Sequence, residues 1–468
     1  MNGKCELGMI GLGVMGRNLL LNMADHHYRV AGYDRDAGKV ALLGGAGPNI
    51  QTFDNVGDFI AALREPRVVM MLVPAGQPVD SVIHDLLPHL APGDCIVDGG
   101  NSFFKDTGLR QRTLAERGIY FLGVGVSGGE EGARHGPSMM PGGSRQAWER
   151  VRPIFEAVAA QVDGKPCVNY MGQGSAGHFV KMVHNGIEYG IMRLIADAYD
   201  LMKRGMNLNA DEMSAVFDQW NGTNLRGFLV EITAHIFRKT DGKTGKLLVD
   251  AILDVARQKG TGMWTSQTAM ELHTPVPNID IAVVMRDLSA LKTERVTASA
   301  LLSSPATRFD GDKEALLMQL HHALYAGMLI TFAQGMALLH VASRSYGYDL
   351  NLESVACIWR GGCIIRSALL DPIAAAFLAR PDLPNLLLDP AIATELSIRE
   401  ADLRSVVCAA VAHGIPVPGL MSALGYYDSY RSAWLPANLI EAQRDFFGAH
   451  GYERIDEKGT FHTEWTND

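Results

Sequence analysis

Glu6-Leu7-Gly8-Met9-Ile10-Gly11-Leu12-Gly13-Val14-Met15-Gly16 is the stretch that decides the fold. Residues 6–10 read as a short strand, 16–26 as an apolar-periodic helix and 29–34 as a second strand ending in Asp34, which makes one βαβ unit. A Gly-x-Gly-x-x-Gly spacing is weak alone; between a strand and a helix it is specific. Gly11 permits the tight turn, Gly13 lets the backbone approach a pyrophosphate, and Gly16 lets helix and strand pack closely, with Leu12, Val14 and Met15 between them. The helix N-terminus then offers unpaired N–H groups to phosphates, so a dinucleotide cofactor is expected. Asp34 would accept hydrogen bonds from both ribose hydroxyls of NAD and repel the 2′-phosphate of NADP. Arg35, with Lys39 a turn later, would do the reverse, and the choice stays open.

Working outward, residues 67–73 and 95–98 continue the strand–helix alternation, which implies a mostly parallel sheet with helices on both faces. Asp98-Gly99-Gly100-Asn101-Ser102 and Val126-Ser127-Gly128-Gly129-Glu130-Glu131-Gly132 follow strands, where paired glycines let backbone N–H groups converge on an anion. Asp98 and the Glu130-Glu131 pair lack a completing cluster, so no metal site is read. Beyond about Gly174 the texture changes to long helices, roughly 175–204 and 313–345. Gly205-Met206-Asn207-Leu208-Asn209, with Trp220-Asn221-Gly222 and Arg226 after it, is echoed by Gly347-Tyr348-Asp349-Leu350-Asn351, with Trp359-Arg360-Gly361 and Arg366. That spacing suits a duplicated helical bundle. The stretch 433–468 is mixed polar and aromatic and reads as a docking tail without a helix of its own. The expected division is therefore an α/β Rossmann-like domain over 1–176, an all-α domain with internal duplication over 177–432, and a C-terminal tail over 433–468.

Composition bounds the setting. The chain has 468 residues, 47% hydrophobic and 20% charged, with formal net charge -9 and no long basic run, which argues against nucleic-acid or anionic-membrane partners. No secretory leader pattern and no apolar run long enough to cross a bilayer are read, so a cytoplasmic protein is expected. The six cysteines form no Cys-x-x-Cys pair, which points to neither a disulfide framework nor a zinc site.

The chemistry concentrates in Lys181-Met182-Val183-His184-Asn185-Gly186-Ile187-Glu188-Tyr189. At 3.6 residues per turn, Lys181, His184, Asn185 and Glu188 share one side of a helix whose remaining surface is oily, with Tyr189 at the edge of the arc. A solvated face would give the same pattern. If the helix is buried, such groups must be paired or face a wet cavity, which points to function.

These motifs, with Gln258-Lys259-Gly260-Thr261-Gly262, Trp359-Arg360-Gly361-Gly362-Cys363-Ile364-Ile365-Arg366 and Gln443-Arg444-Asp445-Phe446-Phe447-Gly448-Ala449-His450, make the chain resemble the decarboxylating 6-phosphogluconate dehydrogenases of the β-hydroxyacid dehydrogenase superfamily. The likeness runs from Leu7 to about Trp465. It implies oxidative decarboxylation of 6-phosphogluconate to ribulose 5-phosphate in the pentose phosphate pathway, without a metal, and with hydride transfer to NADP or NAD. The resemblance assigns Lys181 as base and Glu188 as acid. It sets Gly11 to Gly16, Asp34, Arg35, Asp36, Val73, Pro74, Ala75 and Asn101 against the cofactor. Asn101, Ser127, Gly128, Gly129, His184 and Asn185 would hold the substrate carboxylate and hydroxyls; Tyr189, Lys259 and Arg286 would hold its phosphate. Arg444 and His450 match residues that the family supplies from a second subunit, which implies a homodimer. The alternatives are a β-hydroxyacid dehydrogenase that does not decarboxylate, or a non-catalytic dinucleotide-binding protein.

Four departures from the family pattern bear on the cofactor. Asp34-Arg35-Asp36 stands where members typically carry Asn-Arg-Thr, Gly13 where many carry alanine, and Pro74 and Met263 where lysines are common. Together they add carboxylates and remove cations, which keeps NAD beside the family's NADP.

Overall fold

The computed structural model describes residues 3–302 and 308–465. The chain divides into two units, Met1–Ala423 and Leu424–Asp468. In the first, seven strands form one sheet in the order β3-β2-β1-β4-β5-β6-β7: Leu7–Ile10, Val30–Tyr33, Ile50–Phe53, Val68–Met71, Cys95–Asp98, Tyr120–Val126 and Met139–Gly143 in chain order. β1 to β6 pair in parallel and β7 runs antiparallel to β6. Runs such as Val68-Val69-Met70-Met71 are buried throughout because both faces of a parallel sheet are covered. Strand alternation sends Met9, Met70 and Val97 into one core and Ile10, Met71 and Ile96 into the other. Two strands lack a continuous apolar run. Ile50–Phe53 is a half-buried edge, and Met139–Gly143 contains a proline and two glycines.

The helix Ala176–Asp200 follows, packed against β6, β7 and the helices Thr261–Glu271, Pro277–Ala290 and Lys313–Tyr346. Close approach to the sheet depends on Gly125 in β6, where an added Cβ would lie 2.3 Å from Cβ of Lys181. Lys313–Tyr346 corrects one sequence expectation: by length and composition this helix could cross a bilayer. It passes that test because it is a core helix, 89% buried over its most apolar window.

The internal echo is structural. Asn207 and Asp349 both take positive φ, at 55° and 58°. Two residues later Asn209 and Asn351 each cap a helix, accepting from the backbone N–H of Glu212 and Ser354. The two copies meet at an antiparallel bridge between Gly227 and Ser367, where Phe228 N–H donates to the Arg366 carbonyl at 3.0 Å and Ala368 N–H to the Arg226 carbonyl at 2.8 Å.

The second unit corrects the expectation of a tail without a helix. Ala437–Gly448 is helical, followed by a hairpin of Tyr452–Glu453 with Thr460–Phe461. Its buried Asp445 accepts from the Gly451 and Thr463 amides and the Trp465 indole at 2.9, 3.0 and 2.8 Å, and pairs with His462. This hub replaces the apolar core that a short segment lacks. Residues 466–468 of the expected tail lie outside the described residues.

Candidate active site

The glycine loop leaves β1 at Gly11, whose φ of 89° and an added Cβ 2.5 Å from the Leu72 carbonyl oxygen both exclude a side chain. Gly16 is equally constrained, since its Cβ would sit 1.9 Å from the Gly11 oxygen. Around Gly13, by contrast, the space is open, so nothing within the fold requires a glycine there. The helix Val14–Asp25 begins at Gly13 with no side-chain cap and no acid in its first turn, which leaves its positive end to a ligand.

Asp34 braces this loop. Its carboxylate accepts from Leu12 N–H at 2.7 Å and Asp36 N–H at 2.9 Å, and Lys39 lies 3.7 Å away. Asp36 caps the following helix through Gly38 N–H. Arg35 crosses to the helix Gln77–Leu86, where it pairs with Asp85 and donates to Ser81. Asp34, Arg35, Val73 and Pro74 line one cleft of about 150 Å³ against Gly11; Ala75 does not line it. Asp98 is likewise a brace, accepting from Gly100 N–H at 3.0 Å and the Ser102 hydroxyl at 2.6 Å, and Asn101 stands exposed beside it.

The helix Ala176–Asp200 is buried, so its polar stripe is not a solvated face. Lys181 is 6% exposed, and among the described residues no hydrogen bond or ion pair holds its ammonium. Burial pulls its pKa below the usual lysine value, against the opposing pull of Glu188 and Cys363. Burial also raises the Glu188 carboxyl, against Lys181 and Arg286.

His184 is fully buried, and desolvation with the nearby Lys181 holds it well below its usual pKa, hence neutral. Its Nδ1 lies 2.9 Å from Asn185 Oδ1, and its Nε2 lies 2.8 Å from Cys363 Sγ and 3.2 Å from Ser127 Oγ. With the proton on Nδ1 facing the amide oxygen, the single lone pair of Nε2 accepts from the nearer thiol, with the Ser127 hydroxyl beside it as the alternative donor. Cys363 suits a donor, because burial pushes its pKa up to about 12. The loop Ser127-Gly128 reaches it because Gly128, at φ 103°, passes so close to Gly362 that a Cβ would lie 2.6 Å from that carbonyl oxygen. Sequence reasoning treated Cys363 as a motif residue and missed this contact, whose one sequence signal is the Gly361-Gly362 pair before it.

At the far end of the stripe the Arg286 guanidinium lies 3.5 Å from the Tyr189 ring centroid. Gly262 admits that ring to the neighbouring helix, since its own Cβ would meet it at 2.5 Å. Lys259 sits exposed three residues before Gly262. The structure thus gathers Lys181, His184, Asn185, Glu188 and Ser127, and joins Tyr189 to Arg286. Arg444 and His450 belong to the second unit, where Arg444 pairs with Glu441 at 2.8 Å and His450 meets the Phe447 ring.

Comparison with known proteins places this geometry. Residues 6–172 match the family described as the NAD binding domain of 6-phosphogluconate dehydrogenase, and 177–465 match the 6-phosphogluconate dehydrogenase C-terminal domain. The chain is 50% identical over 465 residues to the NADP(+)-dependent, decarboxylating 6-phosphogluconate dehydrogenase of Bacillus subtilis, covering 99% of each chain. It is 48% identical over 465 residues to the decarboxylating enzyme of Escherichia coli, again covering 99% of each. A solved Plasmodium falciparum 6-phosphogluconate dehydrogenase, described in its apo form and in complexes with NADP+ and with 6-phosphogluconate, superposes with TM-score 0.95 at 40% identity, over 98% of this chain and 100% of that one. With a glycine loop at one end of the sheet, a buried lysine helix beside it and relatives matched along nearly their whole length, this chain belongs to the 6-phosphogluconate dehydrogenase family.

Proposed function

We propose that the chain catalyses oxidative decarboxylation of 6-phospho-D-gluconate to D-ribulose 5-phosphate and CO2, with NADP as the family's hydride acceptor. The observation that carries this reading is Lys181, buried and with no hydrogen bond or ion pair among the described residues, two turns or about 10 Å along one helix from the half-buried Glu188. Gly11, Gly16 and the uncapped Val14–Asp25 helix fit a dinucleotide pyrophosphate, and the open space at Gly13 lets it approach. When bound, the nicotinamide accepts the hydride from C3.

Lys181, its pKa lowered by burial, takes the C3 hydroxyl proton. The resulting ammonium hydrogen-bonds the C3 ketone oxygen, which receives the electrons of the breaking C1–C2 bond as CO2 leaves. Glu188, its carboxyl raised by burial, then protonates the carbon that becomes C1 of ribulose 5-phosphate. Neutral His184, held by Cys363 and Asn185, orients the substrate with Ser127, Gly128, Gly129 and Asn101. Tyr189, Arg286 and Lys259 take the phosphate. Steady-state kinetics on 6-phosphogluconate with NADP and NAD side by side test the reading; no turnover with either would refute it.

The working division is a dinucleotide segment over 1–176, a helical segment over 177–432 and a tail over 433–468. A homodimer in which Arg444 and His450 complete the partner's site is supported by the apolar surface that the second unit exposes: Trp434, Leu439, Ile440, Phe446 and Phe447. Mixing inactive Lys181→Ala chains with Arg444→Ala chains, then unfolding and refolding them together, should restore roughly a quarter of wild-type activity, because half the dimers would be mixed and each would hold one intact site. No recovery would contradict shared sites. The free, mostly buried thiols suit a reducing compartment and support a cytoplasmic location.

A further inference from the structure

Arg35 is a cation beside the expected ribose, yet it is already engaged. It lines the cleft of about 150 Å³ beside Gly11, and its guanidinium turns to the opposite wall, the helix Gln77–Leu86, which also lines that cleft. There Asp85 pairs with it, and the Ser81 hydroxyl, one turn earlier, accepts from the same nitrogen at 3.1 Å. The second nearby cation, Lys39, is divided between Asp34 at 3.7 Å and Asp36 at 4.0 Å. Two cations therefore face three carboxylates, Asp34, Asp36 and Asp85. A 2′-phosphate would enter a cluster with one net negative charge and would have to win Arg35 from an acid already holding it. A 2′-hydroxyl meets no such competition, and carboxylates can accept from it.

We propose that Asp85 is a specificity-determining residue of the cofactor cleft: by holding Arg35 it withholds that cation from the 2′-phosphate and reduces the discrimination of NADP over NAD. The inference rests on the dinucleotide reading of the glycine loop. It is not the acid at the end of the second strand that acts here. One oxygen of Asp34 accepts from Leu12 N–H of the glycine loop and the other from Asp36 N–H, whereas Asp85 comes from a separate helix and acts through Arg35. The Arg35 and Asp85 side chains are 62% and 44% exposed, so the pair is a weak hold, of a size that shifts a preference without abolishing binding.

The test is calorimetric titration of NADP and of NAD into the full-length wild type, Asp85→Asn, Arg35→Ala and the double variant, without substrate. Asp85→Asn should move the ratio of the two dissociation constants about fivefold towards NADP. In the Arg35→Ala background the same substitution should leave the ratio unmoved. An unchanged ratio in Asp85→Asn overturns the proposal, as does an equal shift in the Arg35→Ala background, because Asp85 would then act directly on the ligand. A wild type that binds neither dinucleotide overturns it together with the cofactor site. Because the readout is binding, a chain that failed to oxidise 6-phosphogluconate would refute the proposed activity while this ratio still decided the role of Asp85.

Discussion

The glycine loop is made of backbone from six consecutive residues, and its contacts involve no titrating group except the Asp34 brace. The lysine helix instead gathers ionisable and polar side chains from residues 127, 181–189, 286 and 363, and keeps Lys181 buried and Glu188 half-buried at the cost of shifted pKa values. The first region is a shape that tolerates no added atom at Gly11 or Gly16, though it leaves Gly13 open. The second is an electrostatic arrangement that tolerates little loss of charge. Substitutions in the two should therefore fail in different ways, one through packing and one through chemistry.

The largest expected effect is chemical. Lys181→Ala and Glu188→Ala should each lower kcat by about 10³-fold, with thermal stability and NADP affinity kept; loss of both affinity and activity would erase the contrast. Next comes pH. Lys181 must be neutral to accept a proton, so kcat/KM should fall about tenfold per unit below its pKa. Burial places that limb at a pH below a free lysine's 10.5, and a limb at the free-lysine position would contradict the buried-base reading.

In the glycine loop, Gly16→Ala drives a methyl into the Gly11 carbonyl and should cost about 1–3 kcal/mol in denaturant unfolding, along with dinucleotide affinity. Gly13→Ala meets open space and should change stability by less than about 0.5 kcal/mol. Equal costs at the two positions would mean that the loop is not held as described. Smallest is Cys363: serine keeps a donor to His184 Nε2 and should hold turnover within about threefold, while Cys363→Ala, which removes the nearer of the two donors beside that nitrogen, should raise KM for the sugar acid further.

The same contrast explains what could be read from sequence. The glycine loop, the βαβ unit and the polar stripe are local patterns whose periods appear in consecutive residues, and the fold class followed from them. Tyr189 and Arg286 meet only because three helices pack around Gly262, and no local period reports that contact; the family resemblance alone grouped them. His184 and Cys363 are 179 residues apart, and their contact depends on the turn at Gly362. Residues 437–448 hid a helix because their apolar side chains remain exposed and find no core of their own, so no burial face marked them. Met139–Gly143 hid a strand because its proline and glycines are turn residues by composition. The bilayer-length run at 313–346 was underestimated because glutamines and histidines interrupt it: Gln334 is buried in the core, and His321, His322 and His340 are partly buried.

In the proposed mechanism Lys181 and Glu188 move the protons of one coupled sequence, while the dinucleotide takes the hydride and C1 leaves as CO2. The direct measurement is the stoichiometry of reduced dinucleotide to CO2 released from 6-phosphogluconate labelled at C1. One CO2 is expected for each dinucleotide reduced; reduced dinucleotide accumulating without labelled CO2 would contradict the coupled mechanism.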